Sequence, residues 1–248
     1  MNIIADTHTH TIASTHAYST LLENIAAAKQ AGLLALGMTD HCCAMPDAPH
    51  IWHFDNLRQI PRILDGVCVL RGAEANISDY QGGLDLDNVR LSQMDWVVAS
   101  MHAPVLKPGR MEDHTSAYLG VAQNPYVDVI GHSGTQAFLY DYETVLKVFK
   151  ECGKLVELNE GSLRVRQASQ RNCVEIAKLC KKWEVPVVIN SDSHFSVHIG
   201  KFPHTLRMLE EIGFPERLVL NADADRFFGY IKEKRGIDFK NKQANNSL

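Results

Sequence analysis

The segment Asn2-Ile3-Ile4-Ala5-Asp6-Thr7-His8-Thr9-His10 decides how the rest of the chain is read. Its apolar run, Ile3-Ile4-Ala5, is short and bounded by polar residues, the pattern of a buried β-strand starting at residue 3. Alternate side chains of a strand share a face, so His8 and His10 are expected side by side, next to the carboxylate of Asp6. Two imidazoles beside a carboxylate make half a metal site. Such a spacing also arises by accident in a polar N-terminus, so the reading depends on ligands supplied later in the chain.

Outward from this strand, strand-like and helix-like segments alternate. Ser19 or Thr20 can cap a helix that runs to Gly32. Residues 34–39 read as a buried strand ending at Asp40-His41, and a Pro46- and Pro49-containing loop leads to a helix over residues 55–64. Residues 67–73 form the third strand, ending at Glu74, and a long connection containing Gly82-Gly83 leads to a fourth, 96–100, ending at His102. After a helix over 115–123, residues 127–131 end at His132; after a helix over 142–152, residues 154–158 end at Asn159. The longest helix, 168–183, precedes the last strand, 186–190, which ends at Ser191-Asp192-Ser193-His194. Helices over 205–212 and 222–234 follow, and the Asn- and Gln-rich tail, 241–248, is expected to be disordered.

Seven strands alternating with helices predict a parallel sheet with right-handed crossovers. For a single domain over residues 1–240, the simplest form is a closed or nearly closed α/β barrel. An open doubly wound sheet is the alternative, but no Gly-rich phosphate loop follows any strand. A barrel gathers its functional residues at the C-terminal strand ends. Six of the seven ends carry Asp, Glu or His: His8 and His10, His41, Glu74, His102, His132, then Asp192 and His194. With 29 acidic residues and 12 histidines in 248, any one position has roughly a one-in-six chance of such a residue, so the set exceeds accident. Adding His16 gives seven histidines and two carboxylates, enough for two or three ions.

Composition bounds the class. A chain of 248 residues with 45% hydrophobic content buries one large core, and a net charge of −4 gives no sign of a nucleic-acid or acidic-membrane partner. No 18-residue apolar stretch exists to span a membrane, and cleavage of a signal peptide would remove the first strand. The six cysteines (42, 43, 68, 152, 173 and 180) lack scaffold or CxxC spacing and read as reduced thiols of a cytoplasmic protein.

In this order and spacing, His8-Thr9-His10, His16, Thr39-Asp40-His41, Glu74, His102, Gly131-His132 and Ser191-Asp192-Ser193-His194 resemble the motifs of the PHP (polymerase and histidinol phosphatase) superfamily. The resemblance runs over essentially the whole chain and is closest to the stand-alone YcdX-like phosphatases. It implies a distorted, TIM-barrel-like seven-stranded β/α barrel with a trinuclear site, usually zinc, with manganese or iron as substitutes. It also implies one ion on His8, His10, Glu74 and Asp192, a second on His16, His41 and His194, and a third on Glu74, His102 and His132, with Glu74 bridging. Where the family commonly reads Glu-Ile-Asn-Asn-Ser-Ser, this chain has Glu157-Leu158-Asn159-Glu160-Gly161-Ser162, and the extra carboxylate of Glu160 is expected to face the site or its rim.

The chemistry expected of such a set is phosphate monoester hydrolysis by a metal-bound hydroxide. Three divalent ions against two anionic ligands leave a centre of roughly +4, which acidifies bound water and attracts a phosphate dianion. Glu74 and Asp192 are the catalytic carboxylates, and Asp40, beside His41, either orients that imidazole or caps the following turn. Arg164, Arg166 and Arg171, clustered after the sixth strand, are candidates for holding substrate phosphate. His50, His53, His114, His198 and His204 are expected to lie off the ligand set. The expected partner is a small phosphorylated metabolite, not a nucleic acid or a membrane, and a homo-oligomer stays open. Histidinol-phosphate phosphatase and nucleic-acid phosphoesterase share every motif. An amidohydrolase would place a lysine where His102 stands, and a non-catalytic module would lack part of the set.

Overall fold

The computed structural model describes residues 1–239 and arranges them as β1 (Ala5–Thr9), α1 (Leu21–Gln30), β2 (Ala35–Met38), α2 (Trp52–Asn56), β3 (Ile63–Leu64), β4 (Val67–Asn76), α3 (Asn88–Leu91), β5 (Trp96–Ser100), α4 (Met111–Ala122), β6 (Val129–Ile130), α5 (Tyr142–Glu151), β7 (Leu155–Asn159), α6 (Glu160–Val165), α7 (Gln170–Trp183), β8 (Val187–Asn190), α8 (Pro203–Glu211) and α9 (Ala224–Arg235). The expected tail, 241–248, lies outside the described residues.

Seven strands pair in parallel in the order β1-β2-β4-β5-β6-β7-β8, and β3 pairs antiparallel with β4. The barrel is nearly closed. Between β1 and β8 the seam is held by one bridge, Thr9 to Ser193, and by side chains in place of a ladder. Asn190 Oδ1 accepts from Thr7 N at 2.8 Å, and Asp6 Oδ1 accepts from Ser191 N at 3.0 Å. Lower on the seam, Asn221 Nδ2 donates to Ala5 O at 2.8 Å and Ile189 O at 2.7 Å. These side chains thus supply partners to Thr7 N, Ser191 N, Ala5 O and Ile189 O where the ladder fails.

One end of the barrel is plugged. Ala5, Ala35, Leu70, Trp96, Val98, Val129, Leu155 and Val188, from all seven parallel strands, pack with Phe227, Phe228 and Ile231 of α9. The opposite end, where the strands finish, is therefore the open face. Around the outside, α1 is capped by Thr20 and Glu23 in a reciprocal capping box, as its sequence predicts. Helix α7 buries Cys173, Ile176, Ala177 and Cys180, with Lys178, Lys181 and Lys182 on its solvated side.

Three local expectations are corrected. The helix expected over 55–64 starts and ends earlier: α2 and the 3-10 turn Leu57–Gln59 that continues it stop before Pro61, which holds Ile60 extended (φ −76°, ψ 124°), and Ile63-Leu64 pairs with Val67-Cys68 across Asp65-Gly66, both at positive φ. β1 starts at Ala5, not at residue 3, and its register to β2 slips between Asp6 and Thr9. That bulge sits beside His8, and Gly37 makes it possible, because a Cβ there would lie 2.5 Å from Thr7 O. Finally, β4 runs on to Asn76, so Glu74 projects from within a strand and is fully buried.

Candidate metal centre

Glu74 stands at the middle of a ring of imidazoles. Its Oε1 lies 3.3 Å from His8 Nε2, 3.4 Å from His102 Nε2 and 3.0 Å from His132 Nε2. Its Oε2 lies 2.7 Å from His41 Nδ1 and 3.6 Å from His10 Nε2. Asp192 closes the cluster, with Oδ1 3.2 Å from His10 Nε2 and 3.7 Å from both His8 Nε2 and His194 Nδ1. Glu74 projects from within β4 and His8 from within β1, and the others come from the loops just beyond their strands. Two of them, His132 (φ +23°) and Asp192 (φ +52°), sit in left-handed backbone, which turns their side chains inward at the cost of local strain. Gly131 lets this turn approach β5, since a Cβ there would lie 2.2 Å from Ser100 Oγ.

The donor set fits divalent cations better than it fits itself. His8 Nε2, His41 Nδ1, His194 Nε2 and Glu74 Oε2 are buried without a hydrogen-bond partner, although His41 Nδ1 and Glu74 Oε2 are only 2.7 Å apart. Atoms that converge without hydrogen-bond geometry are arranged as ligands are around an ion. Three triads have ligand atoms within 4.8 Å of one another: His10-His41-His194, His8-His10-Glu74 and His41-Glu74-His102.

Electrostatics agree with that fit. Burial takes His10 down to about 3, helped by His194 and His41, and takes His102 down to about 4 against the pull of Glu74. Burial opposes charge on Glu74 and Asp192, yet the surrounding histidines hold both carboxyls well below their usual range. Burial also opposes charge on His8, but Glu157 and Glu74 raise it well above its ordinary value. The cluster thus has the negative surplus that a bound cation neutralises.

The remaining predicted residues divide. His16 is at the rim, its ring 4.4 Å from that of His194 and 5.2 Å from that of His41, with Nδ1 paired to Asp47. Arg166 reaches the centre, with Nη2 3.7 Å from Asp192 Oδ2. Arg171 is exposed on α7, and Arg164 is partly buried; no ion pair between either and the cluster is found among the described residues. Asp40 does not orient a ligand ring. It accepts from Thr11 N, Thr11 Oγ1 and Ser14 Oγ, each at 2.8 Å, because these donors wrap it in the turn it holds; Ser14 Oγ in turn accepts from His41 N at 3.0 Å. Glu160 is corrected too. It points away from the centre and accepts from Thr205 N at 2.9 Å and Thr205 Oγ1 at 2.8 Å, satisfying the first turn of α8. His204 pairs with the same carboxylate, His53 faces Asp40 at 3.4 Å, and His114 bridges Gly109 N and Leu139 O.

Two supporting groups escaped the sequence reading. Asn76 Oδ1 lies 2.7 Å from His102 Nδ1, and its amide is oriented by donating to Asp85 Oδ2 at 2.6 Å. His102 Nδ1 must therefore carry the proton, which leaves Nε2 free to face Glu74. Glu157, fully engaged beneath the cluster, lies 2.7 Å from His8 Nδ1. The available signal was a charged residue inside an apolar strand, since such residues are almost never buried without partners.

The class defined so far is a parallel barrel with a histidine–carboxylate cluster, able to hold metal ions, at its open end. Known proteins narrow the class. The chain is 44% identical over 234 residues to a probable phosphatase of Clostridium botulinum, covering 94% of this chain and 96% of that protein. It is 46% identical over 235 residues to a probable phosphatase of Acetivibrio thermocellus, covering 95% and 98%. It belongs to this family of probable bacterial phosphatases and is a hydrolase acting on phosphate esters. No family model matches the chain. Among solved structures, a putative histidinol phosphatase of Listeria monocytogenes superposes with TM-score 0.61 at 19% identity, covering 79% of this chain and 97% of that one. The histidinol phosphate phosphatase of Lactococcus lactis, in complex with zinc, L-histidinol and phosphate, gives 0.60 at 16%, covering 87% and 95%. Those two likenesses establish the fold.

Proposed function

We propose that the chain is a metal-dependent phosphomonoesterase of the PHP superfamily, in its stand-alone YcdX-like branch, acting on small phosphorylated metabolites. The observation that carries this reading is Glu74, whose two oxygens face five imidazole nitrogens within 3.6 Å. His8, His10, His41, His102, His132, His194, Glu74 and Asp192, with His16 at the rim, would hold two or three divalent ions. Zinc suits these imidazole and carboxylate donors, as manganese or iron would at the same sites. Such ions polarise phosphoryl oxygens and acidify water.

The protein's own part is to orient and to shield. Glu74, His8 and His10 are fully buried, while His16, His194 and His102 are partly exposed, so substrate enters across these three rings. Arg166 is placed to donate to a phosphate oxygen from the same side, a geometry its planar fork suits. Among the described residues no disulfide joins any of the six cysteines, in keeping with a reducing compartment such as the cytoplasm. Among the described residues no helix is long and apolar enough to cross a membrane.

Charge favours a small substrate. Acidic residues outnumber basic ones, 29 to 25, whereas non-specific nucleic-acid affinity comes chiefly from lysine and arginine along the strand path. Side-by-side assays at physiological salt should show turnover of sugar, amino-alcohol or nucleoside monophosphates and little processive degradation of oligonucleotides. A higher kcat/KM on single- or double-stranded oligonucleotides would refute the small-molecule reading.

A further inference from the structure

Glu157 occupies the third position of β7, where β1, β6 and β8 come together, and it is 4% exposed. Four donors converge on its two oxygens. Oε1 lies 2.7 Å from His8 Nδ1 and accepts from Asn190 Nδ2 at 2.9 Å. Oε2 accepts from His132 N at 2.7 Å and from Asn159 Nδ2 at 2.9 Å.

Neither amide is free to flip. Asn190 Oδ1 is held by Thr7 N and Thr7 Oγ1, both at 2.8 Å. Asn159 Oδ1 accepts from Ser162 N at 2.7 Å, and its Nδ2 also reaches Asp192 Oδ2 at 3.2 Å. With every partner a donor, the carboxylate has no proton to give, so His8 Nδ1 carries the hydrogen of that bond. In the neutral ring that metal ligation requires, the lone pair is therefore on Nε2, which faces the cluster 3.3 Å from Glu74 Oε1 and 3.7 Å from Asp192 Oδ1. The bond to His132 N pins the residue whose backbone is in the left-handed region.

We propose that Glu157 is a positioning residue for the metal centre: it selects the Nε2 ligand form of His8 and holds the His132 turn and, through Asn159, Asp192. The proposal rests on the reading of the cluster as a metal site. It reaches three candidate ligands on three different strand ends through one side chain, which a residue serving only to satisfy burial has no need to do.

Glutamine is the discriminating replacement. The His132 N–H can only donate, so the Gln carbonyl turns to it and the NH2 group turns to His8. That ring then has to accept at Nδ1 and carry its hydrogen on Nε2, aimed into the cluster. In zinc titrations of metal-stripped protein, with bound ions counted by elemental analysis, Glu157→Gln should bind zinc roughly ten- to a hundredfold more weakly than wild type. With p-nitrophenyl phosphate, excess zinc should restore most of kcat and leave KM within about twofold. A variant that binds zinc as tightly as wild type and merely melts earlier would overturn the proposal, because lost packing alone lowers stability without weakening the ligands' hold on zinc. Should Glu157→Gln fail to fold, Glu157→Asp keeps the charge but is too short to reach His8 Nδ1 and His132 N together. It should show the same zinc-rescuable weakening, and wild-type affinity in it would be equally fatal. If wild-type protein itself binds no zinc, manganese or iron, the metal reading fails and takes this inference with it. If wild type binds and the variants match it, only the role of Glu157 fails.

Discussion

Replacing Glu74 with glutamine should lower kcat/KM on an aryl phosphate by at least about a hundredfold, the scale expected when a catalytic metal is lost or misplaced. The substitution keeps the side chain's size and removes a charge that His8, His102 and His132 face on one oxygen and His41 and His10 on the other. Whichever way the amide turns, its NH2 group points hydrogens at ring nitrogens that need an anion or a cation between them. Elemental analysis of the same sample should show at least one ion missing. A Glu74→Gln enzyme with full activity and full metal content would show that Glu74 does not bridge.

Stripping the ions should have a still larger effect. The buried groups of the cluster include orphaned His8 Nε2, His41 Nδ1 and Glu74 Oε2, and none of them has the exposure or the neighbours to act as a substrate-activating base alone. Metal polarisation is worth several kcal/mol of transition-state stabilisation, so dialysis against a strong chelator should reduce the rate by about a thousandfold or more. Adding back zinc or manganese should restore it, and thermal melting should shift upward as the ions rebind the native state. Retention of activity after removal of all detectable metal would contradict the mechanism.

Much of this architecture was legible because strands and ligands announce themselves together. The runs at 96–100 and 154–158 read directly as buried parallel strands, and the ligand residues fall at or close to the strand ends that a barrel exposes. What periodicity misses is chemistry inside a strand. Glu74 and Glu157 project from within β4 and β7, and although both stand in family motifs, only Glu74 is read there as a ligand. Glu160 directly follows a strand end, the position from which a barrel residue is expected to face the site. α6 begins there instead, capped by Asn159, and its first turn swings the carboxylate toward α8. Asp40 was adjacent to a ligand in sequence, yet Thr11 and Ser14, donated by the β1 loop, claim its oxygens. The hairpin at Ile63–Leu64 had an Asp65-Gly66 signal that the helix reading of 55–64 overlooked.

The claim on which the rest depends is that His8, His10, His16, His41, His102, His132, His194, Glu74 and Asp192 together hold catalytic ions. Its most direct test is the metal content of purified protein after metal-replete expression, measured by elemental analysis against protein concentration. About two to three equivalents of zinc, manganese or iron per chain are expected, the capacity of nine ligands at three or four per ion. Less than one equivalent would contradict it.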